Sequence, residues 1–170
     1  MSSIIQSVLG SVSPLTKGSK LPTTPLKETN PEQATVNLSQ LHGKNIIVGV
    51  PGAFTPPCSS QVPGYARHAD DFAKKDVKGI YVVAVNDAFT TQAWKEKLGA
   101  NHQLVHFLAD DNGEWTKAAG MSFDASGLLG NHRSKRYAAI VENGEVKEVF
   151  TEDQAPEVTV TAADKVLKHL

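Results

Sequence analysis

Ile46-Ile47-Val48-Gly49-Val50-Pro51-Gly52-Ala53-Phe54-Thr55-Pro56-Pro57-Cys58 runs from an apolar segment through a proline stop to a cysteine. Ile46 to Val50 are mostly β-branched and closed by Pro51, the pattern of a short buried strand. Two prolines then precede Cys58, and the residues beyond turn helical in spacing. Pro57 suits the first helical position or the one before it, where a missing N–H removes no bond. Cys58 is therefore expected in the first turn of a helix, where unpaired N–H groups and the positive end of the dipole favour an anion. Pro63 is expected to kink that helix or to separate two segments.

The strand pattern recurs outward from this stretch, at Gly79–Val85 and Leu104–Leu108. Tyr137–Val141 and Val146–Phe150 flank Asn143-Gly144, a pair that tolerates positive φ and so signals a hairpin. Helical spacing fills the gaps. It covers Ala66–Lys75, then Ala88–Leu98 with Asp87 as N-cap and Gly99 as its end, then Glu114–Ala119 stopped by Gly120. Thr161 and Asp164 have capping-box spacing for a last helix reaching Leu170. Strands alternating with helices, then a hairpin, imply one α/β domain whose sheet is partly parallel. Residues 1 to about 44 are rich in Ser, Thr, Pro and Lys and read as an extended arm, with one short strand near Ala34–Leu38. Residues 1–14 are taken as the N-terminal arm proper and 15–170 as a single domain.

A chain of 170 residues has room for one substantial core and not two. Its 40% apolar and 21% charged composition is that of a globular domain. A net charge of −1 without a basic run argues against nucleic acid as a partner. The lack of an apolar stretch near 18 residues argues against a membrane span. Met1–Pro14 lacks the Lys and Arg of a secretory or mitochondrial leader. Lys168-His169-Leu170 matches the peroxisomal Ser-Lys-Leu ending only in part and is read as a plain helix end. The expected location is the cytoplasm, with mitochondrion and peroxisome as alternatives.

His42, His68, His102, His106, His132 and His169 show no metal-ligand spacing, so no metal is expected. Asp110-Asp111-Asn112-Gly113 lacks the later Glu of a calcium loop and is read as a turn and helix cap. Gly49, Gly52, Gly64 and Gly79 make no phosphate-binding pattern, and nothing calls for a cofactor.

Cys58 is the only cysteine, which excludes an internal disulfide and favours a reducing compartment. A lone cysteine is ordinarily a small buried hydrophobe, so its neighbours must argue otherwise. Lowering a thiol from pKa about 8.5 to about 6 raises the thiolate fraction at pH 7 roughly 30-fold. The accompanying loss of nucleophilicity, with a Brønsted slope of about 0.4–0.5, returns roughly tenfold of that. Acidity alone gains only a few-fold in reactivity; a site that uses this thiolate must also stabilise the charge that leaves the sulfur. Thr55 can set its hydroxyl beside the sulfur, Pro51 can close one wall, and N–H groups of the Phe54–Cys58 turn can face a group bound at the sulfur. The missing fixed cation must come from elsewhere. Arg133 and Arg136 are the obvious donors, and charge and strand position do not separate them.

Pro51, Thr55 and Cys58 match the Pro-x-x-x-Thr-x-x-Cys signature of peroxiredoxins. The longer string Pro-Gly-Ala-Phe-Thr-Pro-x-Cys-Ser resembles the peroxiredoxin-5-like, or type II, branch. The similarity continues through Val62-Pro63-Gly64-Tyr65, Val85-Asn86-Asp87-Ala88-Phe89, Trp94, Phe107-Leu108-Ala109-Asp110 and Gly130-Asn131-x-Arg133-x-Lys135-Arg136-Tyr137, spanning residues 15 to 170. This resemblance implies a thioredoxin-like fold, a mixed central sheet flanked by helices, carrying the family's N-terminal extension. It implies Cys58 as the peroxide-attacking cysteine within a Pro51/Thr55/Arg136 environment, with Arg133 and Lys135 as surface residues. It also implies a homodimer paired through loops near the site.

Many members of that branch carry a second, resolving cysteine before the Gly-Asn-x-Arg motif. Here Phe123–Gly130 holds none, so the chain resembles a one-Cys member. The implied activity is reduction of hydrogen peroxide and alkyl hydroperoxides through a Cys58 sulfenic acid resolved by an external thiol. Glutathione with glutaredoxin is the first expectation for that thiol and thioredoxin the second. The rival reading is a peroxide sensor or holdase-like binding protein whose Cys58 is oxidised without efficient turnover.

Overall fold

In the computed structural model of the chain, which describes residues 12–170, the apolar run becomes strand β1, Lys44–Val50. After it come helices α1 (Pro56–Arg67) and α2 (Ala69–Lys74), strand β2 (Val77–Ala84), helix α3 (Ala88–Leu98) and strand β3 (Val105–Ala109). Then follow α4 (Glu114–Ala118), β4 (Ser122–Asp124), α5 (Ser126–Leu129) and β5 (His132–Ser134). The chain closes with β6 (Tyr137–Glu142), β7 (Glu145–Thr151) and α6 (Ala163–Leu167). Most of the expected arm, residues 1–11, lies outside the described residues.

The main sheet has the order β3-β2-β1-β6-β7, and β4 pairs with β5 in a small separate ribbon. β1 is parallel to β2, and β2 to β3, whereas β6 runs antiparallel to β1 and β7 to β6. The period of two along β1 divides its side chains between two cores. Ile46, Val48 and Val50 face a cluster that includes Cys58, Val62 and Tyr65 of α1, Phe72 of α2, Trp94 of α3 and Val166 of α6. Ile47 faces the other side, with Leu15, Leu21, Leu26 and Leu38 of the N-terminal segment and Trp115 of α4. Cover on both faces explains why β1, β2, β3 and β6 read as largely apolar runs, while the edge strand β7 stays partly exposed and charged.

Gly49 marks a point of forced contact. It lies opposite Tyr137 in the β1/β6 register, and a Cβ there would sit 2.1 Å from the Tyr137 ring. Tyr137 is buried and has no open space to retreat into. Gly49→Ala is expected to destabilise the fold by about 3 kcal/mol, a Tm loss of roughly 6–12 °C in a domain of this size. Thermal unfolding followed by circular dichroism reads it directly, and an unchanged Tm would mean that the Tyr137 ring is free to shift.

Several expectations hold and others do not. Asn143 and Gly144 both have positive φ, 51° and 80°, as their hairpin turn requires. Asp87 caps α3 through the Thr90 N–H, and Gly99 ends it in the left-handed region. Asp110 caps the start of α4, accepting from the N–H groups of Trp115 and Thr116. The strand expected near Ala34–Leu38 is absent. That segment makes a single bridge, Leu26 to Val36, and then a 3-10 turn over Leu38–Gln40 capped by Asn37. The helix expected over Ala66–Lys75 is instead the end of α1 and all of α2, and the break falls at His68 rather than at Pro63, which lies inside α1. Phe123–Gly130, where no element is expected, contains part of β4 and all of α5. Thr161 makes no capping box, because its hydroxyl is committed to Glu152 and α6 starts after Ala162.

Candidate active site

Thr55 occupies the N-cap of α1, and Pro56 and Pro57 fill its first positions, so Cys58 lies in its first turn. Neither proline has an N–H, and the first bond into the helix is Ser59 N–H to the Thr55 carbonyl, 2.9 Å. The N–H of Cys58 is left with no acceptor among the described residues. Two prolines thus strip the helix start to one free main-chain donor, beside the sulfur.

The turn that delivers Cys58 is held from three sides. Asn86 at the end of β2 accepts from the Ala53 N–H at 2.9 Å, and the Thr55 hydroxyl donates to the Gly52 carbonyl at 2.8 Å. Arg133 spans the Pro51 carbonyl at 3.3 Å and the Leu129 carbonyl at 3.4 Å. Its guanidinium passes so near Gly52 that a Cβ there would lie 2.9 Å from Nη1. Phe54 sits at φ 67°, a left-handed conformation unfavourable for an aromatic residue, which these ties over-determine. Arg133 is thus half-buried and clamps the turn, where it had been expected on the surface. The Thr55 hydroxyl spends its proton on Gly52 and makes no bond to the sulfur in this geometry.

Arg136 reaches the sulfur itself. Tyr137 pairs with Gly49, so the preceding residue falls beside Val50 and the start of the Pro51 turn. Arg136 is 2% exposed and Cys58 0%. Its Nη2 donates to Cys58 Sγ at 3.3 Å, Nη1 to Gln61 Oε1 at 2.6 Å, and Nε to the Ala155 carbonyl at 2.8 Å. Two strong acceptors fix the planar fork and leave its remaining arm for the sulfur. Arg136 thus meets Cys58 directly, Pro51 is buried seven residues before it at the start of the turn, and Thr55 at the N-cap is half-buried. Gln61, one helical turn beyond Cys58, is a partner that i, i+3 spacing could have suggested.

Gln61 in turn donates from Nε2 to the Thr161 hydroxyl and carbonyl, and Thr161 donates to Glu152 at 2.6 Å. Burial alone pushes the Glu152 carboxyl up, but the hydroxyl and N–H groups of Thr159 and Thr161 outweigh it and hold the carboxyl below its ordinary value. A carboxyl lowered by folding adds stability above its unfolded pKa, about 4.3, and loses it as pH falls through the lower folded value. The Tm advantage of the wild type over Glu152→Gln is therefore expected to be constant above about pH 4.3 and to vanish in acid. Parallel Tm curves for the two proteins down to the acid limit would contradict this.

Among the described residues no group of His, Cys, Asp and Glu is placed to hold a metal ion, and no helix is long and apolar enough to cross a membrane. His68, His102 and His106 instead pair with Asp71, Asp70 and Glu28.

The family pattern described as Redoxin matches residues 16–167. Peroxisomal membrane associated protein 20 of Schizosaccharomyces pombe is 59% identical over 154 residues, covering 90% of this chain and 97% of its own length. The mitochondrial peroxiredoxin-2F of Arabidopsis thaliana is 38% identical over 154 residues, covering 89% of this chain and 71% of its own. The crystal structure of reduced Prx3 from Vibrio vulnificus in complex with H2O2 superposes with a TM-score of 0.83 at 34% identity, covering 91% of this chain and 98% of that one. The chain therefore belongs to the redoxin family and, within it, to the peroxiredoxins of the peroxiredoxin-5-like type, peroxidases with a thioredoxin-like fold.

Proposed function

We propose that this peroxidase works through Cys58 alone and borrows its resolving thiol from another molecule. The observation that carries the reading is the Arg136 Nη2 contact with Cys58 Sγ at 3.3 Å, both groups buried, beside the free Cys58 N–H. The Cys58 thiolate attacks one oxygen of the hydroperoxide; an S–O bond forms as the O–O bond breaks. The departing oxygen takes a proton from solvent and leaves as water or an alcohol, and Cys58, keeping the attacked oxygen and its proton, becomes a sulfenic acid. Arg136 and the Cys58 N–H face the charge that moves from sulfur to the leaving oxygen. The Thr55 oxygen, its own proton given to Gly52, accepts the peroxide O–H. Pro51 closes one wall and keeps water from the sulfenic acid.

One external thiol then condenses with the sulfenic acid, releasing water and leaving a mixed disulfide. A second thiol reduces that disulfide and returns Cys58. Glutathione with glutaredoxin is the first assignment for these thiols, and thioredoxin the second. The test is steady-state consumption of hydrogen peroxide and an alkyl hydroperoxide with each thiol system in turn, coupled to NADPH oxidation. Sustained turnover is expected with glutathione and glutaredoxin, and dimedone should label Cys58 after one equivalent of peroxide. A single turnover with every thiol system would replace the enzyme cycle by the sensor or holdase reading.

A homodimer is part of the same proposal. Phe54, Phe89 and Leu128 are exposed large apolar side chains in or near the segments that shape the site. Sedimentation at micromolar concentration reads the assembly. For location the cytoplasm comes first; the name of the Schizosaccharomyces pombe relative adds weight to the peroxisome. Imaging an N-terminally tagged chain with and without Lys168-His169-Leu170 separates the two.

A further inference from the structure

The hydrogen bonds behind Arg136 all run in one direction. Arg136 has only donors, so the Gln61 atom that meets Nη1 at 2.6 Å is the amide oxygen. Gln61 Nε2 must then point the other way, where the Thr161 hydroxyl lies at 3.0 Å and the Thr161 carbonyl at 3.3 Å. The hydroxyl is free to accept because its own proton goes to Glu152 Oε2 at 2.6 Å. Glu152 as a carboxylate only accepts, and it also takes the N–H groups of Thr159 at 2.7 Å and Thr161 at 2.9 Å and the Thr159 hydroxyl. A fixed donor at one end and a fixed acceptor at the other give every link between them one sense, and bonds aligned head to tail strengthen each other.

Glu152 is 7% exposed and bonds neither the sulfur nor the guanidinium. Its own N–H instead meets the Arg136 carbonyl at 3.0 Å, which ties the segment to β6. The Tyr65 hydroxyl holds the Thr161 carbonyl from α1. Four donors converging on one carboxylate fold residues 152–161 so that both Thr161 oxygens face Gln61. Without the carboxylate, the Thr161 hydroxyl proton is free to turn toward Gln61 and oppose that orientation of the amide.

We propose that Glu152 and Thr161 are positioning residues for peroxide reduction. Together they fix the Gln61 amide with its oxygen on Arg136, and so hold the guanidinium against Cys58. The inference rests on the role given to Arg136 above.

The test uses the full chain, with thiolate fraction read by ultraviolet absorbance and the rate of Cys58 oxidation by hydrogen peroxide read by stopped flow. Thr161→Val keeps the side-chain shape and removes the hydroxyl; Thr161→Ser restores it. Thr161→Val and Glu152→Ala are expected to lower the rate per thiolate about tenfold or more, toward the 10²-fold that a ~1 Å misplacement costs. Thr161→Ser is expected to keep the wild-type rate. In an Arg136→Ala background the same changes should add nothing. Equal rates for the valine and serine variants, or an undiminished Glu152→Ala effect without Arg136, would overturn the proposal. If Glu152→Ala fails to fold, the Thr161 pair decides. If Arg136→Ala alone leaves the rate per thiolate unchanged, the Arg136 assignment is the part that fails, and this inference falls with it.

Discussion

Arg136→Ala is expected to lower the second-order rate of Cys58 oxidation by hydrogen peroxide by about 10²–10³, the loss typical of one preorganised donor to a developing oxyanion. The fall should exceed any change in the thiolate fraction. Arg136 is the buried cation on the sulfur, and its other two nitrogens are held by Gln61 and the Ala155 carbonyl. Nothing needs to reorganise as charge moves from sulfur to oxygen, and burial keeps the local dielectric low. The variant also leaves the Gln61 amide oxygen without its partner, at about 1–3 kcal/mol of stability, so Tm must be read alongside. If rate and thiolate fraction drop by the same factor, Arg136 only ionises the sulfur and has no separate part in the transition state.

Cys58→Ser should bring hydroperoxide consumption down to the level of buffer alone and remove the dimedone adduct. A serine hydroxyl stays protonated in the working pH range, and its oxygen has no path to an acid equivalent to sulfenic acid. The fold should survive, because the hydroxyl still accepts from Arg136 Nη2 in place of the sulfur. A Tm within about 2–4 °C of the wild type corresponds to a stability change near 1 kcal/mol. Residual turnover above background would assign part of the activity to a group other than the sulfur, in a chain with no other cysteine.

Local chemistry was legible in the chain, and long-range geometry was not. β1, β2, β3 and β6 show as apolar runs because burial on both faces leaves little alternation to obscure them, and the half-exposed β7 shows through the Asn143-Gly144 turn before it. α3 shows through its two caps, Asp87 and Gly99. β4, α5 and β5 are only a few residues long and mostly polar, so no period exists to detect. The false capping box at Thr161 fails for a different reason: Glu152 competes for the same hydroxyl from outside the helix.

The same divide runs through the site. Pro51, Thr55 and Cys58 lie in one string and are readable together. Choosing Arg136 over Arg133 needed the family resemblance, since the physical discriminator is the pairing of Tyr137 with Gly49. Arg133 bonds the Pro51 carbonyl, a contact that no local pattern announces. Thr161 and Glu152 reach the guanidinium only through Gln61 and leave no signature of spacing.

Cys58 and Arg136 are 78 positions apart, and the β1/β6 pairing brings them together. Insertions and deletions are therefore sorted by place rather than by size. Most of that interval can lengthen or shorten in its loops without touching the chemistry, provided the strands still align. Between Ser134 and Tyr137 a change of one residue turns Arg136 to the opposite face and carries it about 3.4 Å along, and between Val50 and Cys58 it shifts the turn that sets the sulfur's place. Length variation among active homologues should accumulate in the loops and stop at these two short segments.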